Sequence, residues 1–258
     1  MSDAPAPVVP ATDDVPLTVV IPVKDDARHL ERCLAAIARQ SRPPEEVVVV
    51  DNASRDDSAA VARRAGARVV KEAAPGIPAA ASAGYDAVRS GLIVRCDADS
   101  LPPADWLERV HDTFVRDPGL CALTGTGTFY DLPPVRGRLA QVFYTRGYFW
   151  GMHAAIGNVP LWGSNMAFRV ETWQAVRGLV HRDDPWVHDD ADLSFQLPAG
   201  ARVRHDARLV VGVSGRTFAS PAALGRRFRW AWHTLAVNWR VSPPWDRWAA
   251  RIAARRDR

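Results

Sequence analysis

An α/β fold, with a mostly parallel central sheet covered by helices on both faces, is predicted by three observations. Short apolar runs alternate with helical stretches from residue 17 to residue 99. The runs, LTVVIPV and EEVVVV among them, are apolar on both faces, as strands buried on two sides must be. Acidic residues recur where the runs end: Asp25 and Asp26, Asp51, and Asp97 with Asp99. Ligands of such sheets sit beyond the carboxyl ends of the strands, so these clusters would share one acidic crevice.

Each element has its own signature. LTVVIPV (17–23) reads as the first strand, and Leu30, Leu34 and Ile37 share a face of the helix behind it. EEVVVVDNAS gives a second strand ending in Asp51; SAAVARRAGA is a helix stopped by Gly66. ARVVKE is a third strand, PAAASAGYDAVRSG a helix closing at Gly91, and LIVRCDAD a fourth strand. The opening MSDAPAPVVPATDDVP has neither the basic n-region nor the apolar h-region of a secretion signal, and residues 1–15 are expected to be a disordered tail.

With 258 residues, 47% of them hydrophobic, the chain can bury a large core as one domain or a domain with an appendage. No apolar stretch approaches the roughly 18 residues of a membrane span. Cys33, Cys96 and Cys121 are odd in number and lack metal-ligand spacing, which suits free thiols in a reducing compartment and makes the cytoplasm the expected location. The net charge of +4 is uneven: residues 217–258 hold nine arginines against two aspartates, a local +7 that leaves −3 for residues 1–216. Five of the ten tryptophans lie there too. In one helix Leu224, Phe228, Ala231, Leu235 and Trp239 would form an apolar stripe with Arg226, Arg227 and Arg229 largely outside it, either packed on its own domain or laid on an anionic membrane. No nucleic-acid partner is expected.

The segment GLIVRCDADSLPP (91–103) poses the chemical question. In extended chain Asp97 and Asp99 would project to one face about 6–7 Å apart and repel by about 2.5 kcal/mol at an effective dielectric near 20. Solvation, capping of a helix beginning near Pro102, or a divalent cation would each offset that. A dinucleotide fold is disfavoured, because KDDARH after the first strand has no G-x-G-x-x-G and GTGTF (125–129) has no helix pattern directly after it. A metal held by carboxylates is the natural substitute for a glycine loop around a diphosphate.

Five motifs in order then resemble glycosyltransferase family 2, the inverting enzymes with a GT-A nucleotide-sugar fold, over about residues 17–216: TVVIPVKDD, VVVVDNASRDDS, CDADS, GSNMAFR (163–169) and HDDADLSFQL. The resemblance implies donor contacts from Pro22, Val23, Asp25, Asp51, Ser82, Asp97 and Ala98, with Asp51 in the place of the base-contacting aspartate. It implies a Mn2+ or Mg2+ held by Asp97 and Asp99, acceptor or sugar contacts from Trp162, Gly163, Asn165 and Asp189, and Asp190 as catalytic base. Inverting transfer needs a Lewis acid on the leaving diphosphate and a base across the anomeric carbon; Asp189, Asp190 and Asp192 are the candidates for the second task. Crowding should raise at least one of their pKa values. His181, His188 and His205 match no metal box and are read as surface or packing residues.

The chain also departs from the pattern. Lys24 stands where many relatives carry an aromatic, and Ala81 and Ser82 precede Gly84 where an arginine and an asparagine are usual. RRFRW (226–230) is similar to the Gln-x-x-Arg-Trp motif of processive synthases, but Arg226 replaces the glutamine and no spanning helices follow, which points to single addition. VSGR (213–216) resembles the closing segment and would bring Arg216 near the diphosphate. The expected organisation is a GT-A domain over 16–216, with a nucleotide-sugar half at about 16–105 and an acceptor half at about 106–216, followed by a basic helical segment over 217–258. The expected activity is metal-dependent transfer of one sugar from a nucleotide diphosphate sugar to a glycan or lipid-linked acceptor, in cell-envelope or polysaccharide synthesis at the inner membrane face. The alternatives are a nucleotidyltransferase on a related fold and a non-catalytic nucleotide-sugar binding module.

Overall fold

The computed structural model describes residues 15–142, 146–218 and 220–256, so the expected tail, apart from Val15, lies outside the described residues. The N-terminal half runs β1 (Leu17–Val23), α1 (Ala27–Ile37), β2 (Glu46–Asp51), α2 (Ser58–Arg64), β3 (Arg68–Lys71), α3 (Ile77–Asp86) and β4 (Leu92–Arg95). Then come α4 (Trp106–Arg116), β5 (Ala122–Phe129), α5 (Pro134–Ala140), α6 (Arg146–Ile156), β6 (Met166–Arg169), α7 (Val170–Val176), α8 (Asp189–Gln196) and β7 (Val203–Val213). A 3-10 turn, Gly215–Phe218, leads to α9 (Pro221–Trp239) and α10 (Pro244–Arg256).

The seven strands lie in the order β3-β2-β1-β4-β6-β5-β7. The first four are parallel, β6 is antiparallel to both β4 and β5, and β7 is parallel to β5. All seven residues of β1 are buried, as a central strand covered on both faces requires. On one face Leu17, Val19 and Ile21 pack with Leu30 and Leu34 of α1 and Trp106 and Phe114 of α4. On the other, Val20, Val48 and Val50 meet α3, with Tyr85, Phe168 and Trp173. The alanine-rich sequence of α3 follows from how closely it approaches the sheet: a Cβ on Gly84 would stand 2.5 Å from Val20 Cγ1 and 2.8 Å from Val50 Cγ2.

Three expectations are corrected. The α3 helix closes at Asp86 rather than Gly91, and Ala87–Ser90 turn the chain into β4. β4 stops at Arg95, so CDADS is a turn and not extended chain: the Ser100 N–H donates to Asp97 O at 3.0 Å. The apolar stripe of α9 packs only in part: Leu235 and Trp239 turn inward and Phe228 stays exposed, while the polar Thr234 and Asn238 are buried. The reason is polar demand from α8. The His188 N–H donates to Thr234 Oγ1 at 2.8 Å, Asn238 Nδ2 donates to Asp192 Oδ1 at 2.9 Å, and Gln196 Nε2 donates to Asn238 Oδ1 at 2.8 Å. The C-terminal helices therefore pack on the domain. Leu235 and Trp239 join a small core with Met152, Ile156, Ala191 and Phe195. Among the described residues no helix is long and apolar enough to cross a membrane.

Candidate active site

The register of the sheet sets the cleft. Val23 of β1 is level with Asp51 of β2, whereas β4 ends at Arg95 opposite Val20, so the turn after β4 begins below the rim. Above it opens a cleft of about 370 Å³ walled by the end of β1, the start of α3, the Asp97–Asp99 turn, the Trp162–Ser164 loop, the start of α8 and Arg227 and Trp230 of α9.

On one wall, Asp97 Oδ1 accepts from Arg95 Nη2 at 3.0 Å and Oδ2 accepts from Ser164 Oγ at 2.6 Å. Asp99 Oδ2 is 2.9 Å from Arg216 Nε, and Arg216 Nη1 donates to Asp26 Oδ2 at 2.5 Å. Burial first, then the charge of Asp97, pushes the Asp99 carboxyl up to about 6. This turn concentrates hard oxygen donors and negative charge, with Arg216 as the compensating cation. Among the described residues there is no group of three or more His, Cys, Asp or Glu side chains placed to hold a metal. Two carboxylates fit a divalent ion that draws its remaining oxygens from a bound diphosphate and water, as Mg2+-type sites do, and do not fit an ion caged by protein alone.

On the facing wall, α8 starts with three acids whose fates differ. Asp190 Oδ2 accepts the Gly163 N–H at 2.8 Å and Oδ1 accepts the Ala191 N–H at 2.7 Å, which fixes the carboxylate toward the cleft. Asp189 Oδ2 stands 3.1 Å from Arg95 Nη1; burial above all, opposed by Arg95 and reinforced by Asp190 and Asp97, pushes its carboxyl up to about 7. Asp192 is withdrawn as a base candidate. It is buried and committed to Asn238 and to His181, whose N–H it accepts at 2.7 Å.

Of the residues singled out from sequence, Pro22, Val23, Asp97, Ala98, Asp99, Trp162, Gly163, Asp189, Asp190 and Arg216 line the cleft. Four do not. Asp25 is exposed with φ +50 and spends Oδ1 on the Arg55 N–H at 2.6 Å. Asp51 Oδ1 accepts the Ser54 N–H at 3.1 Å, closing the turn after β2. Ser82 sits beyond the first turn of α3, and only Ile77 and Ala80 of that helix reach the cleft; it faces Tyr85, Trp173 and Leu193 instead. Asn165 is fully buried, donating to Thr126 O at 2.9 Å and Leu209 O at 2.8 Å and accepting from Trp106 Nε1 at 2.9 Å, so it staples strands rather than offering an amide hydrogen to a ligand.

Sequence reasoning missed Arg95, the buried base of the cleft, and the signal was an arginine ending an otherwise apolar strand. It also missed His188, which lines the cleft with its pKa lowered by burial, and the entry of α9 through Arg227 and Trp230.

Comparison with known proteins gives the same picture. The model of the Glycosyl transferase family 2 matches residues 18–177. An uncharacterized glycosyltransferase of Mycobacterium tuberculosis H37Rv is 33% identical over 225 residues, covering 87% of this chain and 81% of that protein. Glycosyltransferase AglE of Haloferax volcanii is 29% identical over 119 residues, 43% of this chain, and the match spans only 36% of AglE. Among solved structures, the mannosyltransferase PcManGT of Pyrobaculum calidifontis, in complex with GDP-Man and Mn2+, superposes with a TM-score of 0.65 at 22% identity over 97% of this chain and 77% of that one. Glucosyl-3-phosphoglycerate synthase of Mycobacterium tuberculosis, with Mn2+, UDP and glucosyl-3-phosphoglycerate, gives 0.61 at 17% identity over 88% and 81%. The strand order, the carboxylate turn after β4 and the matched span lead to one conclusion: the chain belongs to glycosyl transferase family 2 and has its GT-A fold.

Proposed function

We propose that this chain transfers a single sugar, with inversion, from a nucleoside diphosphate sugar to a hydroxyl of a glycan or lipid-linked acceptor. The observation that carries the reading is the placement of two carboxylate sets on facing walls of one cleft, Asp97 and Asp99 after β4 and Asp190 at the start of α8. The Mn2+ and nucleotide complexes of the structural neighbours support the donor class.

Asp97 and Asp99 would hold a Mn2+ or Mg2+, whose chemistry there is to neutralise the charge of the departing diphosphate. Arg216 already pairs with Asp99 at the cleft edge, where its guanidinium is placed to exchange a carboxylate for a diphosphate oxygen. Asp190, held by two backbone N–H groups, takes the proton of the acceptor hydroxyl as the oxygen attacks the anomeric carbon from the side opposite the leaving group. Trp162 and Trp230 offer aromatic faces in the same cleft for the sugars. Residues 16–105 form the donor half and 106–216 the acceptor half, and the segment from 217 adds wall residues and contact with an anionic membrane, the cytoplasmic face being where lipid-linked acceptors of envelope or polysaccharide synthesis are met.

A thermal-shift screen of nucleoside diphosphates with and without Mn2+ identifies the donor class by its metal-dependent winner. With that donor, Asp99→Ala should abolish donor hydrolysis and transfer, and Asp190→Asn should keep donor binding and lose transfer. Full transfer by both variants would sink the reading; pyrophosphate release from a nucleoside triphosphate and a sugar phosphate would replace it with nucleotidyl transfer.

A further inference from the structure

We propose that Arg95 is a positioning residue that couples the two walls of the cleft, setting Asp97 on the donor side and Asp189 on the acceptor side through one buried guanidinium. The inference rests on the sugar-transfer reading. Arg95 ends β4 on the face that also carries Ile93, and it is 1% exposed. A charge so deep persists only when paired. Burial works against it, and Asp189 above all, with Tyr85, Asp97 and Asp190, outweighs that penalty and holds its pKa above the ordinary arginine value.

The two pairs are unequal. Nη2 donates a formed hydrogen bond to Asp97 Oδ1 at 3.0 Å. Nη1 lies 3.1 Å from Asp189 Oδ2 without hydrogen-bond alignment, and Nε, Nη1 and that Oδ2 are buried without any hydrogen-bond partner. An arginine kept for packing spends its donors, as Arg247 does on the carbonyls of Ile156, Phe195 and Leu197. Arg95 keeps donors unspent between two carboxylates, so a shift of its head toward one loosens the other. Gly163 leaves it the room: a Cβ there would stand 1.7 Å from Nη1. Because the Gly163 N–H also orients Asp190, the guanidinium, the loop and the base form one contiguous block.

If Asp189 loses its charge, the guanidinium commits to Asp97, whose negative charge is then more fully compensated, and a cation-bound diphosphate is held less tightly. UDP and GDP, each with Mn2+, are the calorimetric probes, used on the full chain. Asp189→Asn should weaken the better-binding probe by about threefold or more, and in an Arg95→Met background the same substitution should leave Kd unchanged. Arg95→Met should also lower kcat for transfer by about tenfold or more. Equal responses to Asp189→Asn in both backgrounds overturn the proposal, because a merely structural arginine would change the melting temperature and not this difference. Should Arg95→Met fail to fold, Arg95→Lys replaces it, since a lysine lacks the planar fork that aims Nη2 at Asp97 and Nη1 at Asp189. An unchanged Kd on Asp189→Asn with Arg95 intact overturns the coupling with no Arg95 variant at all. A wild-type chain that binds neither probe overturns the sugar-transfer reading, and the coupling with it.

Discussion

The carboxylate of Asp190 is held by the backbone of Gly163, whose N–H it accepts at 2.8 Å, and the same glycine covers the Arg95 guanidinium. One backbone position thus orients the proposed base on one side and leaves space for a buried charge on the other. The geometry of the base depends on a residue with no side chain.

Gly163→Ala tests that dependence. The added methyl would meet Arg95 Nη1 at 1.7 Å and Cζ at 2.6 Å. A flexible guanidinium could move aside in open surroundings, but this one is buried and paired with Asp97 and Asp189. The substitution should cost about 1–3 kcal/mol of stability, as overpacking does, and should reduce transfer more than it reduces nucleotide binding. Urea unfolding and calorimetry on the same sample separate the two; wild-type transfer by a fully folded variant would show that Arg95 is free to move.

A second prediction concerns pH. Asp189 is pushed from an ordinary 3.8 up to about 7, and Asp99 from 3.8 up to about 6, burial leading in both. Between those limits the unfolded chain releases protons that the folded chain keeps. The stabilisation is therefore full below about pH 4 and is lost as pH rises through the folded values, at about 1.4 kcal/mol per unit for each group. His188 and His205, both lowered by burial, act with the opposite sign near neutrality. The difference between wild type and Asp189→Asn isolates the carboxyl. With chelator present, the wild-type advantage in unfolding free energy should shrink between pH 5 and pH 8 by an amount on the order of 2–4 kcal/mol; an advantage that grows with pH would mean that Asp189 is ionised throughout.

The N-terminal half was legible from sequence because its physics is local. β1 spans the residues the pattern assigns, Leu17–Val23, and the carboxylate turn follows β4, since a run such as LTVVIPV admits few other fates. Asp97, Asp99 and Asp190 were found by motif and meet in one cleft. Arg95 was not, although it ends an apolar strand, because its burial depends on a distant partner: Asp97 is two residues on, but Asp189 lies at the start of a helix nearly a hundred residues later. Asn165 misled for the converse reason. It sits inside a motif but is consumed by Trp106, Thr126 and Leu209. The face of α9 was legible only in part: Leu235 and Trp239 of its apolar stripe do meet Ala191 and Phe195, but periodicity gives no sign that α8 also presents Asp192 and Gln196 to Asn238.

Arg247 supplies a third prediction. Its guanidinium bonds the carbonyls of Ile156, Phe195 and Leu197, capping the ends of α6 and α8 from α10. Arg247→Met would leave three buried carbonyls without their donor, a loss of about 3–5 kcal/mol, and Arg247→Lys should rescue little because one ammonium cannot match the fork. Nucleotide affinity at low temperature should be retained, since Arg247 lies outside the cleft wall. Unfolding free energies for the three proteins decide it, and full rescue by lysine would show that charge alone is required.

The last prediction is docking to an anionic lipid surface through the outward side of α9 and α10. The inward side is settled by Thr234, Asn238 and Arg247, all buried. What remains outside is Phe228 at 66% exposure, Trp232 at 66% and Trp245 at 70%, with Val241 and Ile252 also exposed. No Asp or Glu occurs between Asp206 and Asp246, whereas six arginines do. Exposed aromatics among arginines that outnumber the one exposed acid of these helices, Asp246, match the interface of an anionic bilayer, where each basic residue contributes about 1 kcal/mol. Because Arg227 and Trp230 of the same helix line the cleft, docking there would bring the cleft mouth to the headgroups, where a lipid-linked hydroxyl would be presented. The chain should sediment with phosphatidylglycerol vesicles and not with pure phosphatidylcholine, and less so as salt is raised. Phe228→Ser with Trp232→Ser should weaken that binding by about tenfold or more while leaving nucleotide affinity unchanged, since neither side chain lines the cleft. Equal sedimentation with both vesicle types, or by the double variant, would remove the membrane from the proposal and favour an acceptor met in solution.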